Sequence, residues 1–138
     1  MMECASKAAK HSKCLSIGIT IDFLSGEKPN KFMTSEICTS SFEERKKFLI
    51  NDDMIYLLVP GGVGTLDEFF EILTLKQTGV HKNTHIVLVD TLFWEDLINF
   101  DRLVRLGTIN AEDVDHVECI EYEEIGETIE NILKSYDE

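Results

Sequence analysis

The sequence has few basic residues and no long apolar run. Only 13 Lys and Arg stand against 26 Asp and Glu in 138 residues, which gives a formal net charge of −13. Such a charge opposes binding to nucleic acid or to an anionic membrane, because both need a positive surface. No apolar run approaches the roughly 18–20 residues of a membrane-spanning helix. We therefore expect neither a nucleic-acid partner nor a membrane partner.

Cysteine is scarce and scattered. Cys4, Cys14, Cys38 and Cys119 show no CxxC spacing, and the four histidines share no ligand spacing, so we expect no metal site. Such cysteines are typical of reduced, mostly buried residues in a cytosolic protein. The stretch MMECASKAAKHSK contains no secretory h-region. We therefore predict a cytoplasmic location.

Apolar residues, 43% of the chain, occur in strand-like runs that alternate with helical patterns. Strands are predicted at CLSIGITI (14–21), MIYLLV (54–59), HIVLVD (85–90) and, more weakly, DHVECIE (115–121). Helices are predicted over 2–13, from a cap at Ser35 or Thr39 to about Ile50, from Thr65 to about Thr78, from Trp94 to about Leu106, and over 123–136. This alternation predicts a single α/β domain, residues 1–138, with a Rossmann-like parallel sheet and helices on both faces.

The segment PGGVGTLDE, residues 60–68, joins one predicted strand to the next helix. In a parallel sheet, ligands bind beyond the carboxyl ends of the strands. Glycines there let backbone N–H groups face an anion, and a helix N-terminus adds partial positive charge. Thr65 is predicted as the N-cap, with Asp67 and Glu68 in the first turn. The segment therefore indicates a phosphate site, and a tight turn without a ligand is the alternative.

PGGVGTLDE resembles the PGGxGTxxE motif of the LOG ("Lonely guy") family, the cytokinin riboside 5′-monophosphate phosphoribohydrolases once labelled lysine decarboxylases. A second family feature is an Arg-Lys pair in the preceding helix. FEERKKFL supplies this pair as Arg45 and Lys46, and Arg45 stands fifteen residues before Pro60. KQTGVHKN resembles the family's Q-x-G-x-H segment through three residues, Gln77, Gly79 and His81. The resemblance covers nearly the whole chain.

The resemblance implies hydrolysis of the N-glycosidic bond of an AMP-like nucleoside 5′-monophosphate, which gives free base and ribose 5-phosphate. The transition state should be oxocarbenium-like, so that a carboxylate can stabilise its charge or activate a water. By resemblance, Glu68 and Arg45 are the catalytic residues. Substrate binding is implied for Lys46, Gly61, Gly62, Val63, Gly64 and Thr65. The resemblance also implies a homodimer or higher homo-oligomer, and it implies no cofactor.

The sequence departs from the family pattern at its amino end. Family members carry a first strand with a Cys-Gly-Ser loop and a second strand that ends in a GGGxxG loop. Here Met2 matches the Met of the family's GLMG, and Glu3 takes the position of a Gly. We therefore expect an N-terminally truncated sheet that lacks two central strands. We also expect weak or no hydrolase activity from this chain alone.

Two other functions fit the same residues. A noncatalytic nucleotide- or phosphate-binding domain would use the glycine loop, although such a domain needs no carboxylate at Glu68. A degenerate, inactive family member would only associate with full-length subunits. Without the resemblance, Glu68 would merely favour the helix dipole, and Arg45 to Lys47 would form a solvated helix face. Lysine decarboxylation is disfavoured because nothing marks a lysine that binds pyridoxal phosphate.

Overall fold

The computed structural model describes residues 2–22 and 30–136, and the chain forms two compact units, Met1–Ile50 and Asn51–Glu138. Each unit contains parallel strands with helices, which confirms the predicted Rossmann-like α/β class. Gly26 and Pro29 predict a loop over 22–34, and most of that stretch lies outside the described residues. No helix of the described ranges is long and apolar enough to cross a membrane. That residues 1–138 form a single domain stays a prediction.

The first unit is built around two parallel strands. Its described elements are α1 (Met2–His11), β1 (Ile17–Ile21), β2 (Ser35–Thr39) and α2 (Phe42–Leu49). The register runs from Ile17 opposite Ser35 to Ile21 opposite Thr39. The predicted helix at 2–13 and strand at 14–21 are therefore confirmed, each with a shorter range.

The helix predicted to begin at Ser35 or Thr39 is wrong in its first part, because residues 35–39 form β2. Pairing with β1 overrides the local signal, and the buried Thr39 hydroxyl donates to the carbonyl of Thr20 at 2.7 Å. The helix begins only after Ser41, whose hydroxyl accepts from the N–H of Glu44 at 3.1 Å. The backbone N–H and hydroxyl of Ser40 both donate to the Glu44 carboxylate, and these bonds lower the pKa of that group. The Ser-x-x-Glu spacing that marks this start is visible in the sequence.

The second unit contains a three-stranded parallel sheet in the order β3-β4-β5. Its elements are β3 (Ile55–Leu58), α3 (Val63–Gln77), β4 (His85–Val89), α4 (Thr91–Leu97), α5 (Phe100–Arg105), α6 (Ala111–Val114), β5 (Val117–Ile120) and α7 (Ile125–Ser135). A short 3-10 turn, Tyr122–Glu124, precedes α7. All three strands lie within the apolar runs that predicted them, and their parallel pairing confirms the expected sheet.

The core of the second unit is centred on β4, in which the four residues from Ile86 to Val89 are at most 2% exposed. On one face, Val87 and Val89 pack with Ile132 of α7. Because successive residues of a strand face opposite sides, Ile86 and Leu88 lie on the other face of the sheet. Right-handed crossovers place α3 and α4 on that face. Helices therefore cover both faces of β4, as the continuous apolar run predicted.

The helix predicted from Trp94 to Leu106 is wrong, because α4 and α5 are separated by an extended residue at Ile98. Asn99 causes the break, since its side-chain oxygen accepts from the N–H of Arg102 at 2.8 Å and starts a new helix. Asn favours this role over a helix interior. Gly79 and Gly107, with φ of 73° and 69°, directly follow the C-caps of α3 and α5 and end those helices.

The expectation that the cysteines are mostly buried is wrong. All four are free thiols with exposed side chains. Cys38 and Cys119 lie on β2 and β5, which are edge strands of the described sheets, and there the outward-facing positions are left uncovered. Apolar character alone therefore did not decide their burial.

A hydrogen-bonded cluster joins the segments that precede β3 and β4. The Asp52 carboxylate accepts from the N–H of Asn83 at 3.1 Å and from the hydroxyl of the buried Thr84 at 3.3 Å. The Asn83 amide also donates to the Asp53 carboxylate at 2.6 Å. Desolvation raises the pKa of Asp52, but the hydrogen bonds from the backbone of Asp53 and Asn83 and from Thr84 outweigh it and lower that pKa. The ionised carboxylate therefore stabilises the folded unit.

We predict that Asp52→Asn makes stability less sensitive to acid. Because the folded-state pKa lies below the ordinary value of 3.8, the contribution of Asp52 is complete above that value. It is lost as the pH falls through the folded-state pKa. Urea unfolding from neutral pH to below pH 3.8 should show a shallower loss of unfolding free energy for Asp52→Asn than for the wild type. Asp96→Asn, at an exposed position of α4, is the control, and equal acid dependence of all three proteins would contradict the prediction.

Candidate functional site

The glycine loop lies at the carboxyl edge of the β3-β4-β5 sheet. It follows β3 directly and leads into α3, which begins at Val63. Because the three strands are parallel, the segments that follow β4 and β5 leave from the same edge. Ligands of parallel α/β sheets bind at this edge. The motif therefore occupies the position that the sequence predicted.

The start of α3 differs from the prediction. Gly62 is the N-cap, with φ −96° and ψ −159°, so Thr65 is the third residue of the helix rather than its cap. Asp67 and Glu68 consequently lie in the second turn, and the first turn contains no acidic residue. Gly62 has no side chain with which to cap the helix. The N–H groups of the first turn therefore keep the donor capacity that attracts an anion.

Gly61, Gly62 and Gly64 differ in what a side chain at each position would contact. None of the three has a positive φ. Among the described glycines, those with a positive φ are Gly79 and Gly107. A Cβ at Gly61 would overlap the Thr65 hydroxyl and lie 2.8 Å from the Thr65 Cβ, so packing explains this glycine. At Gly62 and Gly64, no atom of the described residues would come within 4 Å of a Cβ. These two glycines leave open space beside the helix N-terminus, where a ligand can approach the main chain.

The orientation of Glu68 depends on the buried residue that follows it on α3. Its side chain is half-buried and follows Thr65 by three positions, which places both on one side of α3. The rise from Val63 to Glu68 is about 7.5 Å along the helix axis. The neighbouring Phe69 is fully buried, and its ring centroid lies 5.5 Å from that of Trp94. This packing fixes the direction in which Glu68 projects.

Asp90 lies at this edge and is not among the site residues predicted from the sequence. It directly follows β4 and has a left-handed backbone, with φ 77°. Its carboxylate accepts from the N–H of Phe93 at 3.2 Å and caps α4, and its own N–H donates to the carbonyl of Ile120 at 2.9 Å. Strained residues of this kind concentrate at functional sites. An Asp placed between an apolar run and a helix was the available signal.

Arg45 and Lys46 lie on α2 of the first unit, whereas the glycine loop and Glu68 belong to the second unit. Arg45 is half-buried, and its Nε donates to the carbonyl of Ile19 at 3.2 Å. This bond attaches α2 to β1, so Arg45 has a structural role within its own unit. Lys46 is also half-buried.

The Q-x-G-x-H segment, residues 77–81, ends α3 at the amino edge of the β3-β4-β5 sheet. Gln77 donates to the Asp113 carboxylate of α6 at 3.0 Å, and Gly79 supplies the left-handed residue after the helix. His81 is half-buried, and its Nδ1 is a buried atom without a hydrogen-bond partner among the described residues. These residues precede β4, whereas the glycine loop follows β3. Within the second unit, this motif therefore lies apart from the glycine loop.

Charge is distributed unevenly along the chain. Residues 1–50 contain eight Lys and Arg against six Asp and Glu, a net charge of +2. Residues 51–138 contain five against twenty, a net charge of −15, and the two values add to the total of −13. An anionic ligand of the second unit therefore depends on local positive potential, which the N-terminus of α3 provides. In the described ranges, no group of three or more His, Cys, Asp and Glu side chains is placed to hold a metal ion.

Comparison with known proteins agrees with the motifs. Residues 2–130 match the model of a family described as "possible lysine decarboxylase". The chain is 36% identical over 75 residues to the cytokinin riboside 5′-monophosphate phosphoribohydrolase LOG of Oryza sativa subsp. japonica, covering 54% of this chain and 31% of that protein. It is 41% identical over 54 residues to the enzyme of the same name from Mycobacterium tuberculosis, covering 39% and 28%. A probable enzyme of this kind from rice, LOGL3, is 30% identical over 95 residues, covering 62% and 45%.

The aligned regions thus span less than half the length of these relatives. The family match nevertheless extends over most of the chain and includes both the Arg-Lys pair and the glycine motif. This match and the parallel α/β architecture show that the chain belongs to the LOG family, whose family model is described as "possible lysine decarboxylase".

Proposed function

We propose that the protein hydrolyses the N-glycosidic bond of a nucleoside 5′-monophosphate, releasing the free base and ribose 5-phosphate. Curated relatives are named cytokinin riboside 5′-monophosphate phosphoribohydrolases, which supports this activity at the level of the family. The observation that carries the proposal is the open space at Gly62 and Gly64, beside a helix N-terminus and on the helix that holds Glu68. A fold that needed only a tight turn would not require glycine at either position.

In this proposal, the 5′-phosphate binds against residues 61–65. Backbone N–H groups of the first turn of α3 donate to phosphate oxygens, and the helix dipole favours the negative charge. Val63 is 83% exposed and the three glycines are exposed, so no side chain of the loop shields its backbone. The Thr65 hydroxyl, held against Gly61, is a further donor at the same place. This arrangement binds an anion despite the −15 charge of residues 51–138.

Glu68 acts on the sugar. As the bond between C1′ and the base nitrogen breaks, its electron pair leaves with the base, which takes up a proton. The sugar then carries positive charge, which the Glu68 carboxylate stabilises. The same carboxylate orients the water whose oxygen joins C1′ and accepts a proton from it. The base takes its proton from solvent, and Glu68 returns the proton of the water to solvent, so the base leaves with a hydrogen and the sugar gains the hydroxyl.

Arg45 and Lys46 are assigned to the substrate by resemblance, and this assignment stays a proposal of its own. Both side chains carry the positive charge that a phosphate needs. Arg45 also bonds to Ile19 within its unit through Nε, and lysine has no donor at that position, so Arg45→Lys tests the contribution of the positive charge alone. The lysine keeps the positive charge but loses the planar fork that pairs with two oxygens.

We predict that Gly64→Ala weakens substrate binding without destabilising the fold. The added Cβ meets no atom of the described residues, and alanine in a helix is more favourable than glycine by up to about 1 kcal/mol. If the phosphate occupies this space, the KM for AMP should rise roughly tenfold or more through steric exclusion alone. Adenine release gives the KM, and urea unfolding gives the stability.

Gly126→Ala is the matched control for this substitution. Gly126 is the second residue of α7, as Gly64 is of α3, and a Cβ there also meets no described atom. The control should change stability in the same direction and leave adenine release unaltered. An unchanged KM in Gly64→Ala would show that no ligand uses the open space, and the proposal would then lose its main support.

Where the full active site is present, we predict that Glu68→Gln lowers the rate of adenine release from AMP by at least about a hundredfold, while AMP binding survives. A group that acts mainly in the transition state contributes to kcat and little to ground-state affinity. Asp67→Asn, an exposed neighbour on α3, should retain activity. Normal turnover by Glu68→Gln would remove Glu68 from the mechanism. A wild-type protein that binds AMP without releasing adenine would instead be the noncatalytic binding domain.

We further propose that the protein forms a homodimer or a higher homo-oligomer through its exposed apolar side chains. Phe70 on α3 and Leu92 on α4 are 44% and 73% exposed, although Phe69 and Trp94 close by are fully buried. Exposed apolar groups of this size favour association. The cytoplasmic location stays a prediction.

We predict that sedimentation at micromolar concentration gives a mass at least twice the 15.7 kDa of the monomer. Phe70→Asp should reduce that mass to the monomer value, because it places a charge in the proposed contact. Leu133→Asp, at a 53% exposed position of α7, is the control and should not. A monomeric wild type would contradict the proposal.

A further inference from the structure

Three lysine side chains surround the ring of Phe32 in the first unit. The Nζ atoms of Lys7, Lys10 and Lys31 lie 6.0, 5.9 and 5.1 Å from the ring centroid. These distances are within the range of cation–π attraction. None of the three lysines forms an ion pair with a carboxylate of the described part of the chain. Three positive charges therefore share one small region of a protein whose net charge is −13.

A cavity of about 310 Å³ adjoins this ring. Its wall combines ammonium groups, a thiol and apolar side chains, contributed mainly by Lys10, Lys13, Cys14, Leu15, Phe32 and Met33. The volume falls at the lower end of the range for small-molecule sites. Apolar surface next to several cations suits a ligand that is aromatic at one end and multiply negative at the other.

The wall of the cavity is held in place by specific contacts. The Asn30 side-chain oxygen accepts from the N–H of Phe32 at 3.1 Å, and its amide donates to the Ser6 hydroxyl at 3.0 Å. These bonds attach the turn that carries Phe32 to α1. Met33 packs against Gly18, where an added Cβ would overlap the Met33 sulfur. Phe32 is therefore oriented before any ligand arrives, which lowers the entropic cost of binding.

Lys13 has a backbone conformation that favours glycine. Its φ is 58°, in the turn that ends α1, where the N–H of Cys14 donates to the carbonyl of Ala9 at 2.9 Å. Glycine is the usual residue at such a helix end. The helix dipole accounts for cations near this terminus, but it does not account for a lysine at the left-handed position itself. A strained residue in the cavity wall indicates a role for its side chain.

We infer that this cavity, the Phe32 cavity, binds a nucleoside polyphosphate. The phosphates lie against the ammonium groups of the four lysines, Lys7, Lys10, Lys13 and Lys31, and the base packs against the apolar wall at Leu15, Phe32 and Met33. Several charge-assisted contacts need several phosphates, whereas a monophosphate satisfies few of them.

The Phe32 cavity and the proposed substrate site consist of different residues. Its wall comes from residues that precede β1 and β2, at the amino edge of that sheet, whereas substrates of parallel sheets bind at the carboxyl edge. No residue of the glycine loop lines it. A nucleoside polyphosphate bound here is a second ligand, and its binding does not depend on hydrolase activity.

Cys14 provides a direct test because its exposed thiol is part of the cavity wall. The full chain is treated with iodoacetamide with and without ATP, and modification of each cysteine is followed by peptide mass spectrometry. We expect saturating ATP to slow the modification of Cys14 roughly tenfold or more, with no change at Cys119 in the second unit. Tripolyphosphate should protect Cys14 at higher concentration than ATP, and adenosine should not protect it. ATP bound only at the glycine loop would leave Cys14 unprotected and would overturn the inference.

Four variants sharpen the test. Lys10→Glu should raise the Kd for ATP roughly tenfold or more through loss of a charge-assisted contact. Lys13→Gly relieves the backbone, so it should fold at least as stably as the wild type and still bind ATP more weakly. Phe32→Leu should weaken ATP binding but not tripolyphosphate binding. Lys47→Ala, whose lysine pairs with Glu43 on α2, is the control and should bind as the wild type does.

Wild-type affinity in both Lys10→Glu and Lys13→Gly would overturn the inference. Protection of Cys14 by a single-stranded oligonucleotide but not by ATP would also overturn it, since the cavity would then serve a nucleic acid.

Discussion

Burial of β4 on both faces is the constraint on which the second unit depends. Once Ile86 to Val89 are removed from water, one helical layer must cover Val87 and Val89 and another must cover Ile86 and Leu88. The crossover from β3 to β4 then has to run through a helix, because parallel neighbours cannot be joined by a tight turn. The N-terminus of α3 is thereby brought to the carboxyl edge of the sheet. The anion site proposed there is a consequence of how the core is covered.

Aromatic packing fixes the orientation of α3. Phe69 is enclosed by Trp94 and Phe100, and the indole N–H of Trp94 donates to the carbonyl of Val89 at 3.0 Å. Thr65 and Glu68 precede Phe69 and Ile72 by four positions, so they lie on the same side of α3 as this core, and both are half-buried. The catalytic role proposed for Glu68 needs such a rigid support, since small displacements of a carboxylate lower its effect on the transition state.

The two units differ strongly in net charge. The first unit carries a net charge of +2 and gathers lysines around one aromatic ring, whereas the second carries −15. In so acidic a setting, an anionic ligand is recognised by oriented backbone groups or by local clusters of lysine. The proposed site at the glycine loop uses the first kind of recognition, and the proposed Phe32 cavity uses the second.

The sequence by itself determined the strands at 54–59 and 85–90, the glycine motif after the first of them, and the family, because each depends on a local pattern of residues. Only the tertiary structure decided that residues 35–39 form a strand, because a helix signal there was overridden by hydrogen bonds to β1, which is distant in the chain. The same holds for the glycines of the motif. Their spacing predicted a phosphate loop, but only three-dimensional packing separates Gly61, which accommodates Thr65, from Gly62 and Gly64, where an added Cβ would meet no described atom. That difference depends on atoms brought together by the fold, which no local pattern specifies.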